Sequence, residues 1–370
     1  MVAVEAIKFN HTAGASTHDA FNIRKDANEF ITVPEWRRFI CVNPEDSRAA
    51  YAVEPTRGHP ITIEVSLSST DPSVAFIEVR VEDQVKARPV NFVNGSTGFC
   101  NFELVNPPVS RGRVGIWEVE WNWEYRLEPQ QQWRHLAVTR HRIYVVLDLP
   151  TAPWVQMPHN APNTQLPWTD VLDYACRWAE GATSSDMVAA LVTQHIYELG
   201  PRIITYDCPG GGSSHYSWGA FDCTAFLYRL HGGIGNGLYV NCSDCATFVS
   251  TFANALGCDL WQSKMGWGFA LNELLAIGSR VWQTACGWPS FNYHEVAWEA
   301  AATVTDDVYD ACLRVDGDSD PTNPPHVPLL PQDLRFGNSG DLLYRDRLAT
   351  PVGRPNCDPQ PATRQRRTVV

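Results

Sequence analysis

The segment Gly235–Gly257 reads GNGLYVNCSDCATFVSTFANALG. A glycine-rich loop leads into Cys242, and a helical pattern starts at once. A thiol at a helix N-terminus meets unpaired backbone N–H groups and the positive end of the helix dipole, and both favour the nucleophilic thiolate. Cys245, Val249, Phe252 and Leu256 recur at helical spacing. That stripe can bury the helix against a sheet and hold the thiol rigidly. Asp244 works in the opposite direction if its carboxylate faces the sulfur; its other use is to satisfy N–H groups at the helix start. Taken alone, a cysteine on such a helix is more often a small buried apolar residue than a nucleophile.

Two further residues change the weighing. His294 lies in FNYHEVAW, residues 291–298, 52 positions after Cys242. Asp310 lies in VYDACLRVDGD, residues 308–318, 16 positions after His294. A thiol nucleophile needs a base that takes its proton and later delivers one to the leaving group. The base needs an acceptor that fixes its tautomer and ring orientation. Adjacent antiparallel strands, one carrying His and the other Asp, can set the imidazole between thiol and carboxylate. Read singly, His294 is a hydrogen-bonded sheet histidine and Asp310 a turn residue.

The segment around Cys242 resembles the nucleophile helix of the transglutaminase-like superfamily, which has the papain-like fold. The resemblance rests on Cys242, Ala246, Phe252 and the pair Leu256-Gly257, and on the chain order Cys, His on a strand, Asp on the next strand. It covers residues 170–320. It implies Cys242 as nucleophile, His294 as base and Asp310 as orienting carboxylate. The implied reaction is acyl transfer from an amide through a thioester, as in a peptidase, an amidase or deamidase, or a transglutaminase. Two places depart from the family pattern. Ser243 stands where an aromatic often follows the Cys, and Glu295 and Val296 follow the His, with Trp298 coming later. Both leave the acyl acceptor and the substrate open. The backbone N–H of Cys242 can serve as one oxyanion donor. The resemblance implies an upstream side-chain donor, Trp218 or Asn241, between which the sequence does not choose.

Other readings compete. Residues 221–226, FDCTAF, resemble the nucleophile motif of NlpC-type cell-wall peptidases, with Cys223 as nucleophile and Thr224 and Ala225 replacing Ser and Gly. The chain reaches Gly232 after only about two helical turns, and a buried hairpin cysteine is the plainer account. Cys242-x-x-Cys245 has zinc-knuckle or redox spacing, yet no second pair follows. Cys208, Cys223, Cys258 and Cys312 could join it only through tertiary proximity. His195 reads as a residue on an amphipathic helix face. A transglutaminase-like domain that has lost catalysis and serves as a binding module is the non-enzymatic alternative. No calcium-loop pattern stands out, so neither a metal nor another cofactor is expected.

The elements that must position these residues divide the chain. Residues 61–67 alternate, with Ile61, Ile63, Val65 and Leu67 on one face; Ile77, Val79 and Val81 do the same. In residues 116–125, IWEVEWNWEY, the aromatics Trp117, Trp121, Trp123 and Tyr125 share a face with Val119, opposite Glu118, Glu120, Asn122 and Glu124. Another strand is expected over 141–149. Short alternating strands with turn punctuation predict an all-β immunoglobulin-like sandwich over residues 1–150. A Pro-rich linker is expected over 151–168. Residues 169–350 read as an α+β papain-like, transglutaminase-like catalytic domain. Its helices are expected at 170–180, 185–199 (capped by Ser185) and 242–256, and its strands at 295–298 and 308–315. Residues 351–370 read as a poorly packed tail.

Composition limits the partners. Of 370 residues, 44% are hydrophobic and 19% charged, so a packed core is feasible and global disorder is excluded. Lys and Arg number 29 against 41 Asp and Glu, a net charge of −12. That argues against nucleic acid or an anionic membrane as partner, since both need basic surface. A protein or peptide substrate is expected, with the N-terminal domain free to bind a protein partner. The start lacks a basic region followed by an apolar run, so the expected location is cytoplasmic, or exported without a standard signal peptide. Eleven cysteines, an odd count, point to mostly reduced thiols.

Overall fold

The computed structural model describes residues 1–11, 19–157, 165–233, 236–330, 334–338 and 342–370. Gly235 and residues 158–164 of the Pro-rich stretch lie outside them. The chain falls into two compact units. The first comprises residues 1–149 and 156–183, the second residues 150–155 and 184–370.

The first unit is built on two sheets. One orders the strands Trp36–Arg37, Val2–Lys8, Thr62–Ser69 and Ser96–Glu103. The other orders Arg48–Ala52, Arg134–Val146, Gly115–Arg126, Phe76–Val81 and Val85–Asn91. All pairs are antiparallel except Arg48–Ala52 with Arg134–Val146. Alternation explains the shared core. Ile63, Val65 and Leu67 from one sheet meet Ile77, Val79, Val81, Trp121 and Trp123 from the other, all buried. The opposite face of Gly115–Arg126 stays polar, where Glu120 pairs with Arg140 and Glu124 with Arg80.

The expected boundary at 168/169 moves. The helix Thr169–Trp178 belongs to the first unit, where Asp173 accepts from Tyr144 Oη at 3.1 Å and pairs with Arg142 at 3.4 Å. The stretch expected as linker is split between the units. Its prolines suggest a connector, but Trp154, Leu166 and Trp168 are buried anchors. Trp154 Nε1 donates to Thr251 O at 2.9 Å, which fixes residues 150–155 to the second unit.

The second unit carries the antiparallel sheet Leu334–Arg335, Asp307–Tyr309, His294–Trp298, Trp261–Met265, Pro359–Gln365. The helices Ser185–Glu198, Cys223–Leu230, Cys242–Asn254 and Tyr344–Leu348 accompany it. The first of these is capped by Ser184, whose Oγ accepts from Met187 N, and not by Ser185. The continuous strand expected over 308–315 is two strands, Asp307–Tyr309 and Leu313–Asp316. The chain turns between them because Asp310 Oδ1 accepts from the N–H groups of Cys312 and Leu313, at 2.7 and 3.2 Å. The tail is also corrected: Pro359–Gln365 is an edge strand, and Arg367 and Val369 beyond it are buried. Among the described residues no helix is long and apolar enough to cross a membrane.

Candidate active site

Cys242 is the first residue of the helix Cys242–Asn254, every residue of which is buried. Asn241 caps it. Its Oδ1 accepts from Asp244 N at 3.0 Å, and Asp244 Oδ2 accepts from Asn241 N at 3.2 Å, a reciprocal capping box. Asp244 is fully buried and accepts in addition from Ser214 Oγ, Ser217 Oγ, His215 N and Tyr216 N, at 2.6 to 3.0 Å. The carboxylate that the sequence set against the thiolate is thus occupied in pinning loop 214–217 to the helix start. Cys242 itself is 6% exposed. Its N–H, at the first helical position, has no acceptor within the helix.

His294 opens the strand His294–Trp298 and is fully buried. Its Nε2 lies 2.9 Å from Asp310 Oδ2. Asp310 follows the paired residue Tyr309 directly, so the neighbouring strand delivers the carboxylate. The other ring nitrogen, Nδ1, is buried and has no conventional hydrogen-bond partner among the described residues. Burial opposes a charge on the ring. The Asp310 carboxylate, and after it Cys242 by hydrogen bonding and by charge, outweigh burial and raise His294 to about 10. With Nε2 on Asp310, Nδ1 is the ring nitrogen without a hydrogen-bond partner among the described residues.

Tyr344 was not singled out in the sequence. Its hydroxyl donates to Asp310 Oδ2 at 2.7 Å from a fully buried side chain. Nothing local announced it, because it stands 34 residues beyond Asp310 on a short helix.

The two residues offered by the sequence as side-chain oxyanion donors are differently placed. Trp218 is 77% exposed. Asn241 spends its Nδ2 on Gly212 O at 2.9 Å and its Oδ1 on the cap. Tyr206 is buried, and burial first of all raises its hydroxyl far above its ordinary range.

Cys223 begins the helix Cys223–Leu230, fully buried, and its N–H bonds to Phe221 O and Val370 O. His294 is turned to Asp310 instead. Cys245 and Cys312 are both buried free thiols, and burial raises both. Among the described residues no group of three or more His, Cys, Asp or Glu could hold a metal ion. Cys208 and Cys286 are joined in a disulfide, which corrects the expectation of reduced thiols for this pair.

No family model matches the chain, and no curated protein matches it. Among solved structures it is similar to red sea bream transglutaminase, at 10% identity and a TM-score of 0.35. The match covers 75% of this chain and 50% of that one, so the chain spans about half the length of that protein.

Proposed function

We propose that the chain is a cysteine-dependent acyl-transfer enzyme acting on amide bonds of a protein or peptide, with Cys242 as nucleophile, His294 as base and Asp310 as orienting carboxylate. One observation supports this reading: Asp310 holds His294 by Nε2, while the buried Nδ1 has no hydrogen-bond partner among the described residues and Cys242 is among the groups that raise the imidazole.

In the first step the sulfur, its proton already held on His294 Nδ1, bonds to the amide carbon. The oxyanion that forms accepts from the Cys242 N–H and the Tyr206 hydroxyl. The C–N bond breaks as the imidazolium returns its proton to the departing nitrogen, leaving a thioester. In the second step His294 deprotonates water or an amine, which attacks the thioester carbon. The proton then passes back to sulfur as the C–S bond breaks. Water gives hydrolysis or deamidation, and a lysine amine gives a cross-link. To the first unit we assign the binding of a protein partner.

The test is a mass-spectrometric screen with glutamine-containing peptides, with and without an added amine, on the full chain. Mass changes separate cleavage, deamidation and cross-linking. Wild type should turn over an amide and Cys242→Ala should not. Turnover that survives in Cys242→Ala and is lost in Cys223→Ala would move the nucleophile to Cys223.

A further inference from the structure

The residue after the nucleophile and the residue after the base are tied together. Ser243 Oγ donates to Glu295 Oε2 at 2.6 Å. Glu295 is held from its other side by Arg367, whose Nη1 lies 2.8 Å from Oε1 and whose Nη2 lies 3.2 Å from Oε2. The same Nη1 reaches Thr247 Oγ1 at 3.0 Å and Gln262 Oε1 at 2.8 Å. Thr247 Oγ1 in turn donates to Ser243 O at 2.7 Å, within the nucleophile helix. Burial opposes the charge on Glu295, yet the hydrogen bond and charge of Arg367 keep its carboxyl below the ordinary range. A planar guanidinium is suited to this task, because it can meet both carboxylate oxygens at once.

Arg367 comes from the last residues of the chain. Its N–H bonds to Gln262 Oε1 at 3.2 Å, just beyond the edge strand Pro359–Gln365. Three stretches far apart in sequence therefore converge on one carboxylate, and two of them carry the nucleophile and the base.

We propose that the C-terminal Arg367, through its bidentate pair with Glu295, is a positioning residue that sets the Cys242 helix against the His294 strand. The proposal rests on the acyl-transfer reading above for its turnover readout. It does not rest on that reading for the reactivity of the Cys242 thiol. Breaking the pair frees Ser243 and Glu295 to shift, and the sulfur moves out of line with the imidazole. Small displacements of this kind are costly: an error of about 1 Å can lower a rate about 100-fold.

Arg367→Met alone leaves Glu295 charged and unpaired in the interior, and that variant can fail to fold. The deciding variant is therefore Glu295→Gln with Arg367→Met, which removes both charges. It is compared with Arg367→Lys and with Arg364→Met, an exposed residue on the edge strand that precedes Arg367. Amide turnover, thermal midpoint and the rate of Cys242 alkylation by iodoacetamide across pH are measured on the full chain. The double variant should keep a wild-type thermal midpoint, lose about tenfold to 100-fold in kcat with KM unchanged, and show an altered alkylation pH profile. Arg367→Lys should recover part of kcat, and Arg364→Met should match wild type. A double variant with wild-type kcat and an unchanged alkylation profile overturns the proposal. If the wild type turns over no amide, the acyl-transfer reading fails, while the alkylation profiles still decide the role of Arg367.

Discussion

Tyr344 and His294 meet on the same oxygen of Asp310. The Tyr344 hydroxyl donates to Oδ2 at 2.7 Å, and His294 Nε2 lies 2.9 Å from it. The other oxygen, Oδ1, is taken by the N–H groups of Cys312 and Leu313. Asp310 is thereby fixed in rotation, and the ring it orients is fixed with it.

Removing the hydroxyl should loosen this arrangement without opening a large cavity. Tyr344→Phe should lower stability by about 1.5–3 kcal/mol, the usual worth of a hydrogen bond to a charged group. It should lower kcat/KM by about tenfold, equivalent to about 1.4 kcal/mol of lost transition-state orientation. Urea unfolding and steady-state kinetics read the two effects separately. An unaltered kcat/KM at reduced stability would make Tyr344 a structural residue only.

Asp244 offers a contrast, since it touches no reacting group. Asp244→Ala would strand the buried donors of Ser217, Tyr216 and Asn241 and the part-buried donors of Ser214 and His215. The expected loss is at least about 3 kcal/mol in urea unfolding, given about 1–3 kcal/mol for each buried group left unsatisfied. Asp244→Asn keeps an acceptor oxygen and should cost less. If both variants unfold at the same urea concentration as wild type, the carboxylate is not what joins loop 214–217 to the helix.

The site was legible where its signals are local, and obscure where they are tertiary. A glycine-rich approach, an Asp244 able to satisfy N–H groups at the helix start and an apolar stripe mark the Cys242 helix, and all of these lie within a few turns. Tyr344, Tyr206 and Arg367 have no local signature, because each matters only through a partner far away in sequence. The segment Pro359–Gln365 alternates no apolar residues and so reads as a tail. It becomes a strand through ladder pairing with Trp261–Met265. The break at Asp310 was hidden by a Val- and Leu-rich run with strand propensity, which two hydrogen bonds to the aspartate side chain override. In the first unit the alternation that buries Trp121 and Trp123 was plain, because period-2 patterning depends only on neighbours. Residues 156–183 were misassigned for the opposite reason: proline content says nothing about which side a buried Trp168 anchors.

The raised His294 gives a pH signature of stability. The unfolded ring loses its proton near its ordinary 6.5, whereas the folded ring keeps it to about 10. Between those values the folded state binds more protons, so this contribution falls as pH rises. It is complete below about 6.5 and gone above about 10. The stability difference between wild type and His294→Gln should therefore shrink steadily over that window. Urea unfolding of both proteins at a series of pH values measures it. A difference that stays constant or grows with pH contradicts the charged resting imidazole.

The Cys208–Cys286 disulfide closes a separation of 78 residues. Cys208 starts the turn whose Gly212 carbonyl receives the Asn241 side chain. In that turn Asp207 accepts from Gly210 N, Ser213 N and His215 Nε2, at 2.8, 3.0 and 3.3 Å. Asp207 N also bonds to Val240 O at 2.9 Å, one residue before the cap. Severing the cross-link should free this turn first. Replacing both cysteines by serine should cost about 2–4 kcal/mol, the usual effect of removing a disulfide. Amide hydrogen exchange should quicken over residues 207–213 and at Asn241, while the strand Gly115–Arg126 of the first unit keeps its protection. Turnover should fall with it, because the cap that sets the start of the Cys242 helix leans on Gly212. Unchanged exchange over 207–213 in the serine variant would show that the Asp207 hydrogen bonds hold the turn by themselves.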